Sequence, residues 1–381
     1  MKMKCHVFRF INFSVAVALG VQIPLFLDLS RWMGSDTAVV LAILINLPFF
    51  HRVVSGQPYK RPRFFWKPYL TEFPFYIWWT ASLLYVLAKL PVLLIYLVAP
   101  PSVGIWEVPS PDLLSQSAFL GSLAYAAYVI LWRRRKIRVD RVTVPLRNLP
   151  EDYEGYRIVQ MTDLHCGRFV PGSFIARWVE QVNALAPDLI VLTGDYIAAG
   201  TQYIQELADA LSGLSAPDGV VAVLGNHDYF GDSERLVLAL KGAGIEVLRN
   251  QGRVLNAYKS PLFLAGVDDT WTDRANMKLA LAERPQGVPT LLLAHDPSLF
   301  PEAVQNRVDL TLSGHTHGGQ VAFPIASRTL NPSRLYHRFV AGLYQMGSST
   351  LYVSRGAGTT ALPVRLNVPG EVSEITLRRK E

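Results

Sequence analysis

Cysteine is almost missing from this chain, with two residues, Cys5 and Cys166, among 381. They are too few and too far apart for a disulfide framework or a zinc cluster, so Cys166 is expected to be a reduced, structural thiol. Histidine is scarce too, at eight residues, and charged residues make up only 18%. Acidic residues are thinnest early in the chain. Residues 1–140 hold 15 Lys and Arg against 6 Asp and Glu, a net of +9, whereas the remainder holds 22 against 24. The basic pI near 9.3 therefore does not point to nucleic acid. Its excess positive charge lies among apolar segments, and the rest of the chain is slightly acidic, so no nucleic-acid partner is expected.

Hydrophobic residues, by contrast, reach 50%. Four apolar stretches fill the first 132 residues, at about 10–28, 37–54, 74–98 and 113–132. A spanning helix needs about 20 apolar residues. The fourth stretch meets that, and the third is long enough even with Lys89 and Pro91 inside it. The second has a short core ending in Pro48-Phe49-Phe50-His51; it spans with help from its flanks or dips into one leaflet as a hairpin. Basic and non-basic connections alternate: Lys2, Lys4 and Arg9, then Arg31 alone, then Arg52, Lys60, Arg61, Arg63 and Lys67, then no Lys or Arg from Pro100 to Asp112, then Arg133-Arg134-Arg135-Lys136. That pattern predicts about four transmembrane helices with both ends in the cytoplasm, as in a bacterial inner membrane. Trp32, Trp66, Trp78, Trp106 and Trp132 fall near the proposed boundaries. No small-x-small site follows Asp28-Leu29-Ser30-Arg31-Trp32, which argues against a cleaved signal peptide. Lys89 has no partner evident in sequence and is expected to face other helices or an interface. The resulting plan is a membrane region over 1–132, a basic linker over 133–152 and a second domain over 153–381.

In that second domain, short β-rich runs alternate with helix-like segments, and five polar phrases end hydrophobic runs. They are Asp163-Leu164-His165, Gly194-Asp195, Gly225-Asn226-His227-Asp228, Ala294-His295-Asp296 and Gly314-His315-Thr316-His317. Five of the eight histidines sit in them. Strands are expected at 157–161, 189–192, 220–224, 291–293 and 310–312. A helix is expected over 174–186, with Ile175, Trp178, Val179 and Val182 on one face. In α/β folds ligands gather beyond the carboxyl ends of strands, so the five phrases converge on one site. Imidazole, carboxylate and carboxamide groups together suit transition-metal ions, favouring Mn, Fe or Zn over Ca or Mg. Each phrase alone has a plainer reading as a turn, a cap or a surface residue; all five at strand ends do not. His337 matches no phrase and is expected to be uninvolved. Asp268-Asp269 reads as a strand-end turn.

The order Asp-x-His, Gly-Asp, Gly-Asn-His-Asp, a lone His and Gly-His-Thr-His resembles the calcineurin-like metallophosphoesterases over roughly residues 150–381. The Gly318-Gly319-Gln320 extension is similar to their membrane-associated bacterial branch. The resemblance implies a four-layer α-β-β-α sandwich with two packed mixed sheets, making 153–381 the catalytic domain. It also implies two divalent metals. One would be held by Asp163, His165, Asp195 and His317, the other by Asp195, Asn226, His295 and His315, with Asp195 bridging through its two carboxylate oxygens. Metal-bound hydroxide would attack phosphorus. His227 would stand near the leaving group, with Asp228 fixing its tautomer, and Arg168 is a weaker candidate for a phosphate oxygen. The implied activity is a membrane-anchored phosphoester or pyrophosphate hydrolase. Its substrate is expected to be lipid-linked, as UDP-2,3-diacylglucosamine is in lipid A synthesis, with membrane lipids as partners. The alternatives are a phosphodiesterase or phosphatase of other substrate, and a non-catalytic metal-binding scaffold at the membrane.

Overall fold

The computed structural model describes residues 19–54, 67–98, 111–255, 257–322 and 331–380. The chain divides into two units, with the boundary between Trp132 and Arg133.

The first unit is helical: Ile23–Met33, Ser35–Val54, Lys67–Thr71, Phe73–Val98 and Pro111–Leu131. Among the described residues, two segments are long and apolar enough to cross a membrane, Phe73–Pro91 and Asp112–Arg135. These correspond to the third and fourth expected spans. The second apolar helix, Ser35–His51, is shorter, in keeping with its truncated apolar core. The first expected span lies partly outside the described residues, as do Trp66 and Trp106. Lys89 faces another helix, one of the two expected settings, and forms an ion pair there with Asp28. The Asp28 carboxylate is buried and also accepts from the Tyr85 hydroxyl. An apolar setting makes an unpaired charge costly, and this contact joins residues 61 apart in sequence.

The second unit is built on two six-stranded sheets. The strands are β1 Ile137–Leu146, β2 Arg157–Met161, β3 Leu189–Thr193, β4 Val220–Val223, β5 Glu246–Val247, β6 Gln251–Leu255, β7 Leu262–Gly266, β8 Thr290–Leu293, β9 Leu310–Ser313, β10 Gly342–Met346, β11 Ser349–Val353 and β12 Gly370–Arg379. One sheet runs β1-β12-β2-β3-β4-β5 and the other β10-β11-β9-β8-β7-β6. Both are mixed: β2 through β5 are parallel, as are β7, β8, β9 and β11, while β12 lies antiparallel to β2 and β6 to β7.

Residues alternate across each strand, as the pleat requires. Ile158, Leu189, Val191, Val221 and Val223 of one sheet pack against Leu264, Leu291, Leu293, Leu310 and Leu312 of the other, forming a layer between them. Val159, Met161, Ile190 and Leu192 face the opposite way onto helices Gly172–Ala184, Ile204–Leu211 and Ser233–Gly242. Phe263, Ala265 and Leu292 likewise meet Met277, Ala280, Phe300 and Ala303 of the second sheet's short helices. Four layers result, and strands covered on both faces explain why their sequences are almost continuously apolar. Gln160 is a polar exception in the middle layer. Its amide donates to Thr193 Oγ1 at 2.8 Å and, across to the other sheet, to the Ser313 carbonyl at 2.9 Å.

The stretch expected as a linker, 133–152, is largely part of this fold. Ile137–Leu146 pairs parallel with β12 through ten residues. It lies at the edge of its sheet, and its apolar residues change face partway: Ile137 packs on the helix-covered side and Val142, Val144 and Leu146 in the layer between the sheets; that break, after a run of basic residues, conceals the strand in the sequence. Leu312 is fully buried between the sheets. Leu312→Ala is expected to lower unfolding stability by about 2–5 kcal/mol. Leu238→Ala, at an exposed helical position, should stay within about 0.5 kcal/mol. Urea unfolding of both variants in detergent checks the contrast.

Candidate metal centre

Every strand that carries a polar phrase ends at the same side of the sandwich. Asp163 and His165 follow β2, Asp195 follows β3, Asn226 follows β4, His295 follows β8, and His315 and His317 follow β9. The first sheet supplies four of these side chains and the second supplies three. The turns are tight. Asp163, His165, Asp195, His315 and His317 all have positive φ, between 47° and 71°, a backbone that non-glycine residues adopt rarely. Gly194 (φ 91°) has no room for a side chain, because a Cβ there would lie 2.6 Å from Gly225 N and 2.8 Å from His295 Nδ1. At Gly314 a Cβ would run into Thr162 Oγ1 and the Asp163 carboxylate.

Two donor groups form. Ligand atoms of Asp163, His165, Asp195 and His317 lie within 4.8 Å of one another, as do those of Asp195, His295 and His315. His165 Nε2 and His317 Nε2 are 2.9 Å apart, and His317 Nε2 is 3.2 Å from Asp163 Oδ1. On the other side His315 Nδ1 is 3.2 Å from His295 Nε2. Asp195 belongs to both groups, but not through one oxygen each. Oδ2 faces His165 at 3.5 Å and His295 at 3.3 Å, while Oδ1 accepts the His227 backbone N–H at 2.9 Å. The backbone thus positions one of the two oxygens expected to bridge.

The donor chemistry fits divalent metals. Asn226 is buried, and its Oδ1 has no hydrogen-bond partner among the described residues; a neutral oxygen left so is a vacant donor. Burial, reinforced by the His227 charge, pushes His165 down to about 3. Burial and His295 push His315 down to about 4, and burial followed by His165 holds His317 well below its usual range. Three imidazoles therefore offer lone pairs. Burial raises Asp163 to about 6. His295 goes the other way: burial opposes its charge, but the Asp195 carboxylate outweighs burial and raises it to about 10. Its Nδ1 donates to the Thr193 carbonyl at 2.7 Å, so Nε2 is the nitrogen turned to the site.

Asp228 does not orient His227. Its carboxylate accepts the backbone N–H groups of Asp195 and Gly225 at 2.9 Å, Tyr196 at 2.8 Å and Ile197 at 3.3 Å. With both oxygens committed to the loops after β3 and β4, none reaches the imidazole. The Ala198 carbonyl does so instead, accepting from His227 Nδ1 at 2.8 Å. The His227 ring is half-buried and lies 4.6 Å from His165. Arg168 is half-buried in the turn after Cys166. Cys166 is buried.

Three neighbours of the centre escape a reading by phrases. Arg365 is 1% exposed; it donates to the Gly358 carbonyl at 2.7 Å and to those of Arg355 and Gly356 at 2.9 Å, and its Nη2 lies 3.3 Å from His317 Nδ1. Its only sequence signal is a lone charge inside Leu362-Pro363-Val364-Arg365-Leu366. His337, expected to be uninvolved, stands 5.7 Å from the His315 ring, and Trp271 stands 5.3 Å from it. Asp268 and Asp269 do form the expected turn, and it is the turn that carries Trp271. Asp268 accepts from Tyr229 Oη and from Arg249 Nε, and Asp269 from the Thr272 backbone N–H.

The family model for calcineurin-like phosphoesterases matches residues 156–319, which span all five phrases. The metallophosphoesterase YkuE of Bacillus subtilis is 32% identical over 263 residues, covering 68% of this chain and 90% of that protein. The chain belongs to the calcineurin-like metallophosphoesterases. The metallophosphoesterase domain is thus that of a metal-dependent phosphoester hydrolase. Other relatives include the phosphodiesterase YaeI of Escherichia coli, 34% identical over 58% of this chain and 82% of its own length. A zebrafish transmembrane protein with a metallophosphoesterase domain is 32% identical over 69% of this chain, which spans 62% of that relative.

Two predictions follow from the metallophosphoesterase site. Ligation must remove the proton held at His295 below about pH 10, and also that at Asp163 below about pH 6. Metal affinity should therefore rise with pH, with about one proton released per protein at pH 8 and about two near pH 5. Calorimetry in buffers of different ionisation enthalpy counts them. Asp228→Ala, which frees four backbone amides behind the ligands, should weaken metal binding about 10–100-fold, measured by metal titration of the chelator-stripped protein.

Proposed function

We propose that this chain is a membrane-anchored hydrolase acting on a phosphodiester or pyrophosphate of an amphiphilic, lipid-linked substrate. The observation that carries the hydrolytic part is the pair of donor groups meeting at Asp195 with the half-buried His227 beside them. Asp163, His165, Asp195 and His317 would hold one divalent ion, and Asp195, Asn226, His295 and His315 the other. The mixed nitrogen and oxygen donors favour Mn, Fe or Zn. Two such ions, when bound, activate a water and neutralise charge on the phosphoryl oxygens.

The chain's own residues do the rest. With Nδ1–H held by the Ala198 carbonyl, His227 in its doubly protonated, imidazolium form would carry an Nε2–H that can pass to the departing oxygen. Asp228 keeps the β3 and β4 loops in register, so that Asp195 and Asn226 enter the site together. Arg168 is retained as a candidate contact for a phosphate oxygen.

The lipid-linked part is supported by the apolar helices of the same chain and by its alternating loop charges, which favour a cytoplasmic catalytic domain. UDP-2,3-diacylglucosamine is one substrate of this class. A water-soluble phosphodiester is the second reading, supported by the similarity to a phosphodiesterase.

The test is hydrolysis by the full chain in nanodiscs supplied with Mn, Fe or Zn. The panel holds bis(p-nitrophenyl) phosphate, a glycerophospholipid and UDP-2,3-diacylglucosamine. Asp195→Asn should abolish turnover. His227→Ala should cut kcat by about 10²–10⁴-fold while metal content is retained. Turnover that survives both changes would sink the assignment, and silence across all metals and substrates would favour a binding scaffold.

A further inference from the structure

Beside the metal-binding phrase Gly314–Gly319 lies a loop, residues 331–340, that is fastened to it at both ends. At one end Asn331 Nδ2 donates to the Gly318 carbonyl at 2.7 Å, and Asn331 Oδ1 accepts the Ser333 N–H at 3.0 Å to cap the turn Pro332–Leu335. At the other end the hydroxyl of Thr316, the residue between His315 and His317, donates to the Val340 carbonyl. His337, on the same loop, meets the His315 ring. The loop is thus bonded to the phrase that carries His315 and His317, while Phe339 packs into the core beside it.

Its tip has a composition at odds with its setting. Leu335 is 81% exposed and Tyr336 80% exposed, the two most exposed large hydrophobic residues described. Arg334 and Arg338, both exposed, bracket them. A scaffold that spends hydrogen bonds to hold a leucine and a tyrosine in water gains nothing from burial at that point. The same residues gain at a lipid interface. There an apolar side chain enters the acyl boundary, a tyrosine ring sits at headgroup depth, and arginines meet anionic headgroups.

We propose that the Arg334–Arg338 tip is a bilayer-docking element that engages an anionic phospholipid surface and holds the metal centre against it. A bilayer is the occupant that suits both the apolar pair and the paired arginines, and the same chain carries helices of spanning length. The proposal rests on the reading of this chain as an enzyme of membrane-borne substrates, and adds to it the residues that would meet the membrane.

The test reads position rather than catalysis. In full-length protein with Cys5→Ser, where Cys166 is buried, Leu335→Cys is labelled with bimane. The protein is placed in nanodiscs of phosphatidylcholine and phosphatidylglycerol. Leu238→Cys, at a position 71% exposed on helix Ser233–Gly242, is the control. Nitroxide-bearing lipids are expected to quench the label at 335 several-fold more than at 238, and aqueous iodide to quench it less. Adding Arg334→Glu and Arg338→Glu should remove that difference in anionic discs. Equal iodide quenching at both positions with no lipid quenching overturns the proposal. Shielding of position 335 from both quenchers also overturns it, since a protein then covers the tip. Fluorescence needs neither metal nor substrate, so an absence of hydrolysis would leave this result standing, and active enzyme with a water-exposed label would reject the docking element alone.

Discussion

The carboxylate of Asp228 is 3% exposed, and four backbone N–H groups from two loops converge on it. It joins the turn that presents Asp195 to the turn that presents Asn226, so two ligands from neighbouring strands share one anchor. Burial and the nearby Asp195 push its own pKa up to about 8, while the backbone amides pull the other way. This carboxylate is spent on backbone amides and belongs to neither donor group. It replaces the regular strand hydrogen bonding that the chain gives up on leaving β3 and β4.

Five ligand residues hold left-handed backbone, each at a cost of about 1–2 kcal/mol against the relaxed conformation. Short polar side chains tolerate that region best, which is one reason Asp and His can serve where a branched apolar residue could not. What the turns cost is offset locally. His315 N–H reaches both Asp163 oxygens at 3.1 Å, His165 N–H reaches the Asp195 carbonyl at 3.0 Å, and Gly358 N–H reaches the Asp163 carbonyl at 2.8 Å. The strain keeps ligand atoms pointed into a small volume before any ion arrives. Fewer rotamers are then lost on binding, and the like charges of Asp163 and Asp195 are held close enough that a cation relieves them.

The local signals in the sequence gave up most of this centre. All seven proposed ligands lie where hydrophobic strands stop, and strand termini are set by nearest neighbours: β-branched runs, then Gly, Asp or Asn. What stayed hidden depends on contacts between distant residues. Asp228 sits beside His227 in sequence, which suggests a pair, yet the turn points its carboxylate at backbone instead. Arg365 is 48 residues from His317, and nothing in its own segment names that partner. His337 and Trp271 reach the His315 ring from separate loops. The edge strand β1 was obscured because its pairing partner, β12, is at the far end of the chain, while its charged outer side reads as a solvated linker. Asp28 and Lys89 illustrate the same limit among the apolar helices.

The hydroxyl of Thr316 gives this distinction a mechanical side. Its neighbours His315 and His317 belong to different donor groups, and the hydroxyl ties the bond between those groups to the backbone at Val340. Arg365 braces the same turn from below, at His317 Nδ1 and three nearby carbonyls. The phrase Gly314–Gly319 is therefore held between an inner guanidinium and an outer loop, with no slack residue between the two ligands. Close-packed, fully bonded segments move as units. A force on the outer loop would thus shift both imidazoles together rather than bend one away from the other. The surface loop and the phrase Gly314–Gly319 are thus joined at two points, Asn331 to Gly318 and Thr316 to Val340.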